Sequence, residues 1–565
     1  MTAAAAPVNS AGQGLLARLA RRPLATLFLL CFVAWVPGFF TMPPLDRDES
    51  RFAQASKQMI ETGNYVDIRY SVGPRYKKPV GIYWMQAAST LVFSKPPYNT
   101  IWTYRLPSLL GAFFAVALAY WCMRGFAPPE TALIGAALIG FTVSLKAEAL
   151  IAKTDAVLLA TVLGAQAFLI RSYIAARMKK PPPSFWVAMG GWFAFAIGVM
   201  IQGPVIFAVL AVTVVAISLW DRDWSWLKAL HWKAGIALTL LICLPWGLAI
   251  AFVSQGQFYE QSLGHDFAAK ILGGQESHGA PPGYYLLLAS LTLWPATLFV
   301  IPGIGSGIAN RMEPATRYLL AWAGAAWLMF ELVPTKLPHY ILPAYPALAF
   351  LGALWAVRAP SADEPRWTKV LRIVAAVQFA IALAAFSATP VLAPHFFGDG
   401  TTWWLILGAL AGSAVGIGAI VCLIQRKNVA ASIFAVGAAF IFYPLLSWGV
   451  ASHVDQIWVS PKAAALVAKD KQPGDPPVVL SGYVEPSLVF LLGTNTLLEP
   501  PKEAGTVAAK QGGLALIEDR SKPKFLAQLS QQGANAKPVD QFSGFNYSQG
   551  RHIHITVYRV TPAGR

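Results

Sequence analysis

Cysteine and charge are both scarce in this chain. Its four cysteines, Cys31, Cys122, Cys243 and Cys422, all lie inside apolar runs, and the polar C-terminal part has none. That excludes a disulfide framework and a thiolate metal cluster. Charged residues make up 13% of the 565 residues, where a soluble globular protein carries about 25%. Acidic residues are the scarcer sign, with 27 Asp and Glu against 44 Lys and Arg and a formal net charge of +17. No compact basic domain gathers that excess, so nucleic acid is not the partner. Basic loops facing anionic lipid headgroups account for it. The period-two alternation of an outer-membrane barrel is lacking as well.

Apolar residues make up 56% of the chain, in recurring runs of near 20. Each such run can cross ~30 Å of hydrocarbon. The expected fold is a polytopic α-helical membrane protein of about thirteen spans, near 23–41, 104–122, 130–147, 155–174, 184–201, 204–220, 235–253, 284–307, 318–333, 341–357, 371–391, 403–424 and 429–449. Residues 1–22 read as a cytoplasmic tail, with Arg18, Arg21 and Arg22 before a retained first helix. With that end inside, the short inside loops are basic. The first outer loop, residues 42–103, departs from the trend and holds Arg47, Arg51, Lys57, Arg69, Arg75, Lys77, Lys78 and Lys95. From about 450 the composition changes. "PVVLSGY", "GGLALIEDR" and "HIHITVYRV" read as strands, and "EPSLVFLLG" and "KPKFLAQLSQQG" as helices. Residues 450–565 are therefore expected to form a small soluble α/β domain on the outer side.

This topology brings unusual residues to one membrane face. They are Asp48 and Glu49 in "DRDESRFAQASKQMIETG", Asp155 in "KAEALIAKTDAVLLA", His265, Asp266, Lys270, Glu276 and His278 in "GHDFAAKILGGQESHGAPPGYY", and Lys336, His339 and Tyr340 in "PTKLPHYILPAYP". Ionisable groups beside apolar spans are costly and mark functional cavities. Asp48 also reads as the N-cap of an amphipathic helix stopped by Gly63, and Asp155 as the cap of the fourth span. The loop histidines lack helical metal-ligand spacing, and a divalent metal remains an open alternative to a lysine cluster for holding phosphate.

These motifs resemble those of lipid-dependent glycosyltransferases of the GT-C fold, the bacterial lipid A aminoarabinose transferases in particular and the protein O-mannosyltransferases more distantly. The resemblance rests on "DESR" at 48–51, Gly63-Asn64-Tyr65, Lys78-Pro79 followed by Tyr83-Trp84, "KTDAVLLA", the outer-loop run ending in Tyr284-Tyr285, and "KLPHYILPAYPAL", and covers roughly residues 20–350. It implies a transmembrane catalytic domain over 23–449 in a bacterial inner membrane, with a periplasmic active site. It also implies transfer of a sugar from undecaprenyl phosphate to lipid A or another envelope acceptor, with inversion at the anomeric carbon. Asp48, Asp155 and Glu49 are then the expected catalytic carboxylates. Arg51, Lys78, Lys270 and Lys336 would bind the donor phosphate, and Tyr83, His265, His278, His339 and Tyr340 the substrates. Two positions depart from the aminoarabinose transferases: Lys77 replaces a Glu before the Lys-Pro, and Gln202 replaces a Lys before the Gly-Pro. A lipid or sugar transporter is the competing class, but no internal repeat is evident and the charges gather at one face rather than at span centres.

Overall fold

The computed structural model describes residues 10–262, 264, 279–358 and 365–563. Its main body is a helical bundle that follows the apolar runs. Pro23–Trp35 leads into a first loop carrying α1 (Asp48–Thr62) and α2 (Gly81–Phe93), and α3 (Ile101–Met123) continues the bundle. Helix α2 is apolar but only 13 residues long, too short to read as a span from sequence. The central helix is α4 (Asp155–Arg177), with 89% of its span-length window buried inside the protein. The hairpin α5 (Phe185–Gln202) and α6 (Pro204–Asp221) follows, and α7 (Pro314–Leu332) packs against α6 and α4.

Every expected span contains a helix, and eight described helices are long and apolar enough to cross a membrane alone. Two expected spans are broken. Residues 130–147 are Pro129–Gly140 and Val143–Ala149, bent by 64°. Residues 284–307 are Tyr284–Thr292 and Thr297–Ala309, separated where Pro295 has no N–H to continue the ladder. Gly203, at φ +60 and ψ −124, makes the turn between α5 and α6, a conformation open to glycine alone at little cost. Gly81 opens α2 against α5 so closely that a Cβ there would stand 2.6 Å from the Met200 carbonyl oxygen.

The C-terminal region is a five-stranded mixed sheet with helices. Strands β1 (Val479–Ser481), β2 (Leu497–Leu498), β3 (Gly513–Glu518), β4 (Asn535–Asn546) and β5 (Arg551–Thr561) lie in the order β2-β1-β3-β5-β4. β1 is parallel to β2 and β3, while β5 is antiparallel to β3 and β4. Alternate residues bury two cores: Leu480 and Leu516 on one face, Val479, Ala515 and Ile517 on the other. The sequence hid β4 because it is a polar edge strand containing Pro538, where the register shifts; proline is tolerated at such edges. Short helix α8 (Pro486–Leu492) lays this region on α1. Lys57 Nζ donates to the Phe490 carbonyl at 3.1 Å, Gln54 Nε2 to Thr494 Oγ1 at 2.7 Å, and the Arg47 guanidinium to the Ser548 carbonyl at 2.9 Å. The sheet and the first loop therefore share one end of the bundle.

Candidate active site

The residue that starts α1 sets the site's direction. Arg47 holds φ +63, a left-handed conformation uncommon for a long side chain. Arg47 is thereby the N-cap and Asp48 the first residue of the helix; Gly63 ends the helix in the left-handed conformation, as expected. Likewise Thr154 is the N-cap of α4 and Asp155 its first residue. Neither aspartate occupies the N-cap position itself.

Neighbouring carboxylates Asp48 and Glu49 have opposite surroundings. Glu49 is 1% exposed and takes a bidentate pair from Arg105, with Nε to Oε1 at 2.7 Å and Nη2 to Oε2 at 2.8 Å. It also accepts the backbone N–H of Leu45 at 2.8 Å and of Ala152 at 2.9 Å. Arg105 in turn donates to the carbonyls of Met42 and Pro43. Glu49 is thus a strut tying the first loop to α3 and to the start of α4, and its lone pairs are committed. Asp48 is 47% exposed and meets Arg51 at 3.7 Å. Burial pushes its carboxyl up, but Lys153, Arg75 and Arg51 outweigh that and hold it below the usual value.

Below Asp48 lies a cluster centred on Lys153. Its Nζ is 3.5 Å from Glu148, 3.7 Å from Asp155, and 3.3 and 3.4 Å from the two ring nitrogens of His339. His339 also faces Glu148 at 3.8 Å and Asp155 at 3.9 Å. Burial pulls the Lys153 ammonium down, yet Glu148, Asp155 and Asp48 raise it overall, so it stays charged. Burial and Lys153 push the His339 imidazole down to about 4, so it is neutral at pH 7. Among the described residues no three His, Cys, Asp or Glu side chains form a metal-holding group. The Lys153 ammonium stands where a cation shared by Glu148, Asp155 and His339 would sit.

A cavity of about 360 Å³ opens beside this cluster. Its lining is mixed: Lys77, Lys78, Asp155, Gln202, His339 and Tyr340 are polar, and Leu158, Val205, Ala208, Met329, Phe330 and Val333 are apolar. Both α4 and α6 begin at this cavity, through Asp155 and Pro204. A helix N-terminus favours negative charge.

Asp155, Lys78, His339 and Tyr340 thus come together as expected from sequence. Asp48 and Arg51 stand outside the cavity wall, with Asp48 inside the field of Lys153 and His339. Three expectations are corrected. Glu49 is a buried strut rather than a reacting group. Lys336 is buried, and its Nζ donates to the carbonyls of Ala280 at 2.9 Å and Val333 at 2.8 Å, bracing the bridge between Gly279 and Thr335 rather than facing the cavity. Tyr83 is fully buried and stacks on Phe52 at 5.4 Å, holding α2 against α1. His265, Lys270 and His278 lie outside the described residues. Sequence reading missed Lys153 and Glu148, though the signal was present: four charges, Lys146, Glu148, Lys153 and Asp155, interrupt one apolar stretch.

The fold of the chain is the GT-C fold, shared with the solved structures of two membrane-bound transferases. The family profile of dolichyl-phosphate-mannose-protein mannosyltransferases matches residues 39–256. The chain is 28% identical over 419 residues to the undecaprenyl phosphate-alpha-4-amino-4-deoxy-L-arabinose arabinosyl transferase of Edwardsiella ictaluri, covering 69% of each chain. It is 24% identical over 535 residues to the transferase of the same name from Pseudomonas paraeruginosa, covering 92% of this chain and 89% of the other. Among solved structures, ArnT of Cupriavidus metallidurans bound to undecaprenyl phosphate superposes with a TM-score of 0.70 at 18% identity, over 97% of this chain and 98% of that one. The archaeal oligosaccharyltransferase AglB of Archaeoglobus fulgidus matches at 0.54 with 11% identity, over 95% and 74%.

Proposed function

We infer that the protein is an integral-membrane glycosyltransferase. It moves a sugar from an undecaprenyl phosphate carrier to lipid A or another envelope acceptor, at the outer face of a bacterial inner membrane. The observation that carries this reading is the cavity, which Lys78, Asp155 and His339 line together with apolar side chains from the bundle. A polyprenyl tail needs hydrocarbon while its sugar phosphate needs polar partners, and the bundle offers both within one opening.

The leaving group is a phosphate whose negative charge grows as the glycosidic bond breaks. Lys78 and the α6 N-terminus are placed to stabilise it electrostatically. Asp48, ionised and half exposed, faces the incoming acceptor. For a hydroxyl acceptor it removes the proton; for a lipid phosphate, already ionised, it orients the group against Arg51 and Lys153. Asp155 and neutral His339 are held by Lys153 against the sugar phosphate. Residues 1–22 lie in the cytoplasm and the sheet region in the periplasm, consistent with the ion-paired basic residues Arg177, Arg317 and Arg358 at the end of the bundle away from the first loop.

Lipid mass spectrometry of cells with and without the gene tests the reading. It predicts a sugar-sized mass on lipid A or another envelope component that disappears with the gene. Identical envelope lipids and glycans in both strains, under conditions where the protein is made, would refute it.

A further inference from the structure

Gln202 is the last residue of α5, is only 6% exposed, and lies on the cavity wall. Its position is fixed by the turn that follows. Gly203 reverses the chain and Pro204 starts α6. A Cβ on Gly203 would stand 3.7 Å from the Pro79 ring, so the turn is set against the Lys78–Pro79 loop. The Gln202 Oε1 atom finds no hydrogen-bond donor among the described residues. A buried acceptor of this kind is costly unless a ligand supplies the missing hydrogen.

The chemistry of that ligand is restricted by its neighbours. Phosphate oxygens are themselves acceptors and do not satisfy Oε1. An ammonium group would add a third positive charge to a cavity lined by Lys77 and Lys78, whose one lining carboxylate, Asp155, already faces Lys153 and lies in the field of Lys78. A hydroxyl donates to the carboxamide oxygen and accepts from the carboxamide nitrogen, so it matches the whole side chain. We propose that Gln202 is a specificity-determining residue that hydrogen-bonds a hydroxyl of an uncharged sugar ring on the lipid-linked donor. The inference rests on the donor-site reading of the cavity.

The test uses the full-length protein in lipid nanodiscs and radiolabelled undecaprenyl phosphate as the displaced probe. Competitors are unlabelled undecaprenyl phosphate and its neutral hexosyl, hexuronosyl and aminopentosyl phosphodiesters. Replacing Gln202 should weaken the neutral hexosyl lipid about tenfold, the size of one good hydrogen bond, and leave the bare carrier, which has no sugar, unchanged. In Gln202→Leu the ratio of hexosyl-lipid to bare-carrier competition should fall about tenfold from its wild-type value, and Gln202→Glu should shift preference toward the aminopentosyl lipid. Tighter binding of the aminopentosyl or hexuronosyl lipid than of the neutral hexosyl lipid in the wild type overturns the role of Gln202 without needing any variant. So does an unchanged ratio in Gln202→Leu; both leave the transferase reading standing. Failure of labelled undecaprenyl phosphate to bind at all overturns the donor-site reading itself.

Discussion

The two ends of the bundle handle charge differently. Away from the first loop, Asp221 is 2% exposed and takes Arg177 Nε at 2.8 Å, the Arg317 guanidinium, and the Tyr173 hydroxyl at 2.6 Å. Arg358 there forks onto Glu313 at 2.9 and 3.0 Å. At the first-loop end, the contacts among Lys153, Glu148, Asp155 and His339 run from 3.3 to 3.9 Å, and Asp48 stays half exposed. Tight pairs neutralise their members at short range and hold helices together. Loose contacts around a cavity leave capacity for a ligand and cost stability that the rest of the fold supplies. The Glu49–Arg105 pair belongs with the tight class although it sits at the site end, which separates it from Asp48, one residue away.

The largest effect tests that separation. Arg105→Met leaves Glu49 buried without its partner and should destabilise the protein by ~3–5 kcal/mol, read as a large fall in melting temperature in detergent. A melting temperature near wild type would mean the pair is no strut. Next, Lys153→Met should cut transfer by about a hundredfold, the scale of losing one preorganised electrostatic group. The same change lifts one of the three causes, burial, Lys153 and Lys78, that hold His339 down at about 4. Protonation of the imidazole then starts at higher pH, and the acid limb of kcat/KM moves upward between pH 5 and 7. A parallel, unshifted pH profile would assign Lys153 to packing alone. At the far end, Asp221→Asn should lower stability by ~2 kcal/mol while leaving kcat as it was, and a fall in kcat would erase the contrast between the ends.

The smallest effect concerns the docking of the sheet region on the first loop. Asp46 receives hydrogen bonds from the Ser487 and Tyr483 hydroxyls, and its backbone N–H donates to Tyr547. Burial, helped by Glu485 and opposed by those hydroxyls, pushes its carboxyl up to about 6 from 3.8. The docked state therefore binds a proton more tightly than the undocked one. Stability is greatest below about pH 4 and is lost as pH rises through about 6, by ~1–2 kcal/mol once solvent screening is allowed for. Asp46→Asn should flatten that dependence and slow proteolytic release of the C-terminal region at pH 7.5. An unchanged pH dependence would remove Asp46 from the contact's energetics.

Much of this organisation is legible in the sequence because its causes are local. Apolar runs give the helices, Gly203-Pro204 gives the α5–α6 turn, and Gly63 ends α1. The presence of Asp48, Asp155, Lys78, His339 and Tyr340 at one face follows from span order alone. Side-chain direction does not. Glu49 and Asp48 are chemically alike and adjacent, and only the packing of α3 decides which one is sealed. Lys336 carries the charge a phosphate needs, but the bridge to Gly279 claims it. Glu148, which meets Lys153 at 3.5 Å, lies on a helix, Val143–Ala149, that is bent by 64° from the one before it, a tertiary event with no periodic signature.

The most direct test of the central claim, that Asp48 reacts while Glu49 only supports, is the transfer rate of Asp48→Asn in reconstituted vesicles, with melting temperature measured on the same preparation. Transfer should fall at least a hundredfold, on the order expected for a positioned acid–base or orienting carboxylate, with melting shifted by no more than about 2 °C. Turnover within a few fold of wild type would contradict the account.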